Sequence, residues 1–407
     1  MADTENNKNF NSPAERAQGN APALRFPGFT EPWQRMTVSD LLEFYSTNSL
    51  SWEQLSKDTE SEFMNLHYGL IHVGLPTIVN IEENKLPYIK EDAIPRNYVL
   101  CENGDVSFAD ASEDTSEVAK AIEFTGIGNE KVISGLHTIH GRDKQKKTIV
   151  GFKGYLFSSE AFHKQTRRIA QGSKVFSISP RNFSEIFVSI PSKEEQRKIA
   201  ELLLLLDERI ATQRRLIEDL EKLKSAIRKK LFANLKNLPT EYIEIGDLLN
   251  YEQPSEYIVA SDEYISDITK TPVLTANKGF ILGYTEEQFG VYSKGECIIF
   301  DDFTMDSKYV TFPFKVKSSA IKILTAKPNV NLRFIFEYLQ SMDLKSEEHK
   351  RHYISEIAML VVAIPMIEIQ NHIACIIDSI DRKLTIEQQV AKEYEIEKLY
   401  LISNIFI

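Results

Sequence analysis

Apolar side chains recur along residues 191–232 at Ile199, Leu203, Leu206 and Ile210, in steps of 4, 3 and 4, and resume at Ile217 and Leu220. The same register returns at Ile373, Ile377, Ile380, Leu384, Ala391 and Tyr394. Such steps keep one stripe of an α-helix apolar, which is the spacing of a coiled-coil seam. Each stripe has one polar defect, Gln213 and Glu387, and the two defects align. Pro191 and Pro365 stand where a helix can begin, because the N–H they lack would have no partner there. Aligned without a gap over 191–232 and 365–406, nine of 42 positions are identical: Pro191/Pro365, Glu194/Glu368, Gln196/Gln370, Ile199/Ile373, Ala200/Ala374, Asp207/Asp381, Glu221/Glu395, Lys224/Lys398 and Phe232/Phe406. At ~1.5 Å per residue these helices are rods roughly 60 Å long. A repeat of this length predicts two copies of one unit.

The rest of the chain changes period. Up to Ile190 short apolar runs (TIVN, YVL, VFSIS) are bounded by Pro, Gly and Asn, and ECIIF and KYVTF follow the same style later. These read as short strands with some helices. The fold class expected is therefore α+β: two globular mixed α/β domains separated by two long helices, as an internal repeat. The segments are a disordered tail over 1–24, a first domain over 25–190, a central spacer helix over 191–236, a second domain over 237–364 and a spacer helix over 365–407. Leu24–Trp33, with its prolines and aromatics, reads as a docked extended arm. The repeat continues faintly into the domains: Asp40-Leu41-Leu42 matches Asp247-Leu248-Leu249, and NGDVSFAD (103–110) matches KGECIIFD (294–301).

Composition narrows the class. No apolar run approaches the roughly 20 residues of a membrane span, and the N-terminus lacks the apolar core of a secretory signal. Three distant cysteines make neither a disulfide framework nor a CxxC-type zinc site, so a cytoplasmic protein with no membrane partner is expected. The net charge of −11 taken alone argues against nucleic acid, but it is an average. Residues 82–124 carry 4 basic and 11 acidic side chains, whereas 139–181 carry 10 and 2. The second domain repeats the shift, with 3 basic and 14 acidic in 241–307 against 9 and 4 in 308–351. The helices are complementary, 191–232 at net +3 and 365–407 at net −3, which favours pairing with each other.

Basic residues interleaved with aromatics (Tyr155, Phe157, Phe162, Phe176; Tyr309, Phe312, Phe314) suit a surface that binds phosphates and probes base edges. The candidate DNA-binding residues are Arg142, Lys144, Lys146, Lys147, Lys164, Arg167, Arg168 and Lys174 in the first domain, and Lys278, Lys308 and Tyr309 in the second. His137 and His140 lie three apart, with no Cys or acidic pattern nearby in sequence to complete a metal site, so no metal is expected. There is no Gly-rich phosphate loop, no Gly-x-Gly-x-x-Gly and no Pro-Pro dipeptide, and hence no Asn/Asp-Pro-Pro-Tyr methyltransferase motif. No catalytic residues are assigned; the chain reads as a recogniser.

At this point the chain resembles the specificity subunits of type I restriction–modification systems. The resemblance rests on the Pro-x-x-x-Glu-Gln-x-x-Ile-Ala…Asp helix from Pro191, its second copy from Pro365, FPGF…W at 26–33, and the Phe176-Ser-Ile-Ser run. The second copy departs from the pattern, with Ile369 for the second Glu and Asn371-His372 for Arg-Lys. The resemblance implies two target-recognition domains on an antiparallel coiled coil with approximate twofold symmetry. Each domain would read one half of a bipartite site on double-stranded DNA, with the helices setting the gap. Two methyltransferase subunits and two restriction/translocase subunits are the implied partners. They, not this chain, would bind S-adenosylmethionine, ATP and Mg. Two alternatives stand beside it: a related system with methylation and cleavage fused on one partner, and a coiled-coil scaffold that does not bind DNA.

Overall fold

The computed structural model describes residues 21–58, 61–277, 279–344 and 351–407, so the tail expected at 1–24 falls, up to residue 20, outside the described residues. The chain divides into two units, one made of residues up to 212 together with 391–407, the other of 213–390. Each unit therefore owns half of each long helix.

The long helices run over Lys193–Ala233 and Ile367–Ile405. Each begins two residues after its proline. The prolines act just before the helix instead: the Pro191 and Pro365 carbonyls each accept the side-chain N–H of Gln196 or Gln370 at 2.9 Å. The other end of that amide reaches into the domain, where Gln196 Oε1 accepts the Ile149 N–H and Gln370 Oε1 accepts the Asn331 N–H, both at 2.9 Å. One glutamine per copy thus pins helix start to domain, which accounts for its identity in the repeat.

Within each unit the helices pair antiparallel. In the first, Ile199, Ala200 and Leu203 share a core with Ile402, Ile405 and Phe406. In the second, Phe232 and Leu235 share one with Ile373 and Ile377. Of the twelve seam positions, Ile199, Leu203, Leu206, Ile210, Ile373, Ile377, Leu384 and Ala391 are buried, and Ile217, Leu220, Ile380 and Tyr394 half-buried. The charged identities form matching ion pairs, Lys398 with Asp207 at 2.5 Å in the first unit and Lys224 with Asp381 at 2.5 Å in the second. The aligned defects meet: Gln213 Nε2 donates to the Glu387 carbonyl at 3.1 Å and to its carboxylate. Each polar defect is thus satisfied by its own repeat mate within the second unit.

The domains repeat in topology far more clearly than in sequence. In the first unit the strands run in the order Glu43–Tyr45, Thr138–Arg142, Val106–Ala109, Ala121–Thr125, Ile78–Asn80, all antiparallel except the last pair. In the second the order is Leu249–Glu252, Ile321–Ala326, Cys297–Asp301, Ser307–Val310. The first four strands correspond one to one, and the two faintly matching octapeptides supply the equivalent Val106–Ala109 and Cys297–Asp301. Gly104 and Gly295 enter those strands at φ +89° and +101°, a left-handed turn that favours glycine. A two-stranded ribbon precedes each long helix, Gln34–Thr37 with Phe187–Ile190 and Thr240–Glu244 with Val361–Pro365.

The arm at 24–33 is held by the first unit. Arg25 makes two 2.8 Å bonds to the carboxylate of Glu195, which is buried, and the Leu24 N–H donates to the Asn404 carbonyl at 3.0 Å. Trp33 packs edge-on against Phe406.

Candidate nucleic-acid interface

The strand pair Val106–Ala109 and Thr138–Arg142 gives the first domain two ends. Arg142 lies beside Asp105 at one end and His137 beside Asp110 at the other, five residues or ~17 Å apart along the strands.

The densest basic cluster occupies the end near the first long helix, and most of it is committed internally. Arg142 grips Asp105 with two bonds of 2.8 and 2.7 Å, donates to the Leu100 carbonyl at 2.8 Å and pairs with Glu102. Lys144 donates to Glu43 at 2.8 Å, and Lys147 to the Asp40 carbonyl at 2.7 Å. Only Lys146 of the four is exposed with no partner among the described residues. In the helix Glu160–Ile169, Arg167 pairs with Glu160, while Lys164 and Arg168 lie on one exposed face. Lys174 is exposed in the following loop. That loop closes on the strand Phe176–Ser177, which pairs with Ala111–Ser112, so Lys174 lies near the His137 end. Lys146, Lys164, Arg168 and Lys174 are the predicted cations free to meet phosphate.

The aromatics interleaved with these cations belong mostly to the core. Tyr155, Phe157, Phe162 and Phe314 are buried, because the helices and strands that carry them turn that face inward. In the second unit, Lys308 is half-buried on the strand Ser307–Val310. Its neighbour Tyr309 faces the opposite side, its ring tilted against Phe336 with centroids 5.7 Å apart, the Arg333 guanidinium 5.0 Å from its ring centre and its hydroxyl on Glu296. Burial and Glu296 hold that phenol above its ordinary range. Lys278 lies outside the described residues.

Folding also completes a cluster that sequence spacing did not show: Cys101, Asp105 and His140 are buried with ligand-type atoms within 4.8 Å of one another. The Asp105 carboxylate is already engaged by His140 Nε2 at 2.7 Å and by Arg142. Burial alone would raise that carboxyl, but the bonds from His140 and Arg142 outweigh it and hold it below its ordinary 3.8. A depressed carboxylate contributes stability above its unfolded-state pKa and loses it as pH falls through the folded value. Asp105→Asn should therefore lower stability at neutral pH and flatten the loss that the parent shows below about pH 4. Melting midpoints of both chains between pH 3 and 7 check this; parallel pH profiles would refute it.

The structure is thus of a protein with duplicated α+β units, each joined to part of an antiparallel helix pair, and with free surface cations on the first. A family model described as the type I restriction modification DNA specificity domain matches residues 30–222 and 237–398, and the chain belongs to that family. It is 37% identical over 175 residues to the type I restriction enzyme EcoR124I/EcoR124II specificity subunit of Escherichia coli, an alignment covering 39% of this chain and 43% of that protein. The match thus spans under half the length of that relative. Among solved structures, the type I restriction–modification S subunit from M. genitalium aligns over 95% of this chain and 99% of its own, with 16% identity and a TM-score of 0.58. A chain from a structure on complex assembly and conformational transition of the type I R-M system aligns over 91% and 96%, with 13% identity and a TM-score of 0.53. These two likenesses speak to the fold. Among the described residues no helix is long and apolar enough to cross a membrane.

Proposed function

We propose that this chain is the DNA-recognition subunit of a type I restriction–modification complex and is itself non-catalytic. The observation that carries the reading is the duplicated strand order, matched twice by one family model. Each domain reads one half of a split target, and the paired helices set the gap between the halves. Phosphate contacts from Lys146, Lys164, Arg168 and Lys174 place the first domain, and base-edge contacts select the sequence. Methyltransferase subunits dock on it, restriction/translocase subunits join through them, and the partners supply S-adenosylmethionine, ATP and Mg. The boundaries 25–190 and 237–364 are proposed as exchangeable target-recognition domains.

Genome-wide detection of modified adenines, in cells expressing this chain with its cognate methyltransferase subunit, tests the reading. A split motif dependent on this chain is expected. Replacing residues 25–190 with another family member's first domain should change one half-site and leave the other intact. A change in both halves would sink the modular reading. No motif, with the partner shown active, would favour a scaffold that does not bind DNA.

A further inference from the structure

The end of the first domain opposite the basic cluster carries a chain of rings that sequence reasoning did not assemble. Trp52 stacks on His67 with centroids 4.4 Å apart, His67 lies 4.7 Å from Tyr68, and Tyr68 lies 5.2 Å from His137. His67 and Tyr68 follow the strand Phe63–Leu66, and His137 sits in the turn between Lys131–Ser134 and Thr138–Arg142. Trp52 and the His137 side chain are each 50% exposed, so half of each ring faces solvent.

Their bodies are fixed while their polar tips are free. Three hydroxyls in a row, Ser107 to Ser134 and Ser134 to Thr138 at 2.8 Å each, lock the turn beneath His137, and Thr138 donates onward to the Gly135 carbonyl at 2.6 Å. His137 holds a left-handed backbone at φ +53°, a conformation costly for a residue with a side chain and often kept at functional sites. Its Nδ1 lies 3.2 Å from Asp110, which leaves Nε2 facing out. The Tyr68 N–H bonds the Leu136 carbonyl at 3.3 Å, and the His67 Nδ1 accepts the Gly69 N–H at 3.2 Å. Among the described residues the Trp52 Nε1, the Tyr68 hydroxyl and the His137 Nε2 have no hydrogen-bond partner. Fixed, uncommitted donors and acceptors on rigid rings are what base-edge readout in the major groove requires.

We infer that Trp52, Tyr68 and His137 are specificity-determining residues that read base edges in the half-site of the first domain. This rests on the DNA-recognition reading above. The indole N–H, a donor only, selects an acceptor such as guanine O6 or a purine N7, and Lys174 near this end supplies a flanking phosphate contact.

The test uses the full chain with its methyltransferase partner, with modified adenines mapped for Trp52→Phe, Tyr68→Phe and His137→Asn. Each replacement keeps a ring, or in the last case the left-handed turn, and removes the free polar atom. Discrimination at one base pair of one half-site should fall roughly tenfold, with the other half-site and the gap unchanged. Lys146→Ala, which removes a phosphate contact, should weaken binding evenly across sequences and leave the preferred bases unchanged. If all three variants write the parent motif, or if relaxation appears in both half-sites, the inference is overturned while DNA recognition stands. If the parent writes no split motif, the recognition reading fails with it. For a variant that writes nothing in cells, binding of the purified complex to target and scrambled duplexes decides. A lost preference with unchanged affinity for scrambled DNA supports the inference, and equal loss on both duplexes overturns it.

Discussion

A chain carrying Glu337→Ala should lose about 3–5 kcal/mol of stability in its second unit, the usual consequence of removing one member from a buried ionic network. Glu337 is fully buried in the helix Leu332–Ser341 and is the acid on which three cations converge. Arg228 Nε donates to it at 2.6 Å, Arg333 lies 2.8 Å away and Lys224 4.0 Å away. Lys224 and Arg333 also reach Asp381, so the network joins the domain to both long helices within that unit. Without Glu337, three cations would crowd a buried space with only Asp381 and the half-exposed Asp378 to balance them. For a unit of this size the loss corresponds to roughly 10 °C in melting temperature. Calorimetry of the full chain should show one transition moved and the other in place; a shift of about 1 °C or less would mean the network is dispensable. In the first unit the matching aspartate, Asp207, accepts the Tyr155 hydroxyl at 2.8 Å. Beyond the matching lysine, the shared aspartates thus have different further partners, a tyrosine hydroxyl in one copy and a guanidinium in the other.

Glu123→Ala should be comparably damaging in the first unit, again by about 3–5 kcal/mol. The Glu123 carboxylate accepts the Gly151 and Gly154 N–H groups at 2.9 and 2.8 Å and lies 3.0 Å from Lys153 Nζ. Acid and lysine are both buried, so truncating the acid strands an ammonium and two N–H donors away from water. The segment released runs from the basic loop to the Ile149 N–H held by Gln196, so its link to the first long helix should loosen too. Faster amide exchange across 143–154 and a lower melting midpoint are the expected readings. Glu123→Ala with Lys153→Met should recover most of the loss, because no charge is then left buried unpaired. A double variant no better than the single one would place the effect in the lost N–H bonds.

The long helices were legible because a 3.5-residue period that runs over 199–220 and returns in the same register over 373–394 is hard to produce in any element but a coiled-coil helix. The polar defects were legible as aligned, whereas their contact shows only in the fold. The domains were legible only as α+β. Their common strand order depends on pairings such as Val106 with Gly141, which no local pattern encodes. Charge counting located the basic segment but not its neutralisation. The groups that engage Arg142, Lys144 and Lys147 come from Asp105, Glu43 and Asp40, which are 37, 101 and 107 residues away in the chain. The ring cluster was invisible for the same reason, being drawn from residues 52, 67, 68 and 137. His137 attracted notice only through its spacing to His140, a metal pairing that was set aside, because spacing is readable whereas a left-handed backbone is not.

The shared ownership of the helices fixes an order of events during synthesis. The core of the first unit contains Ile402, Ile405 and Phe406, with Phe406 lodged against Trp33 and Phe152. Those residues are translated only after the whole of 213–390 has been synthesised. The domain that leaves the ribosome first is therefore finished last, and until then it exposes an apolar slot of the kind chaperones hold and proteases inspect. The second unit has no such wait, since all of its residues are contiguous.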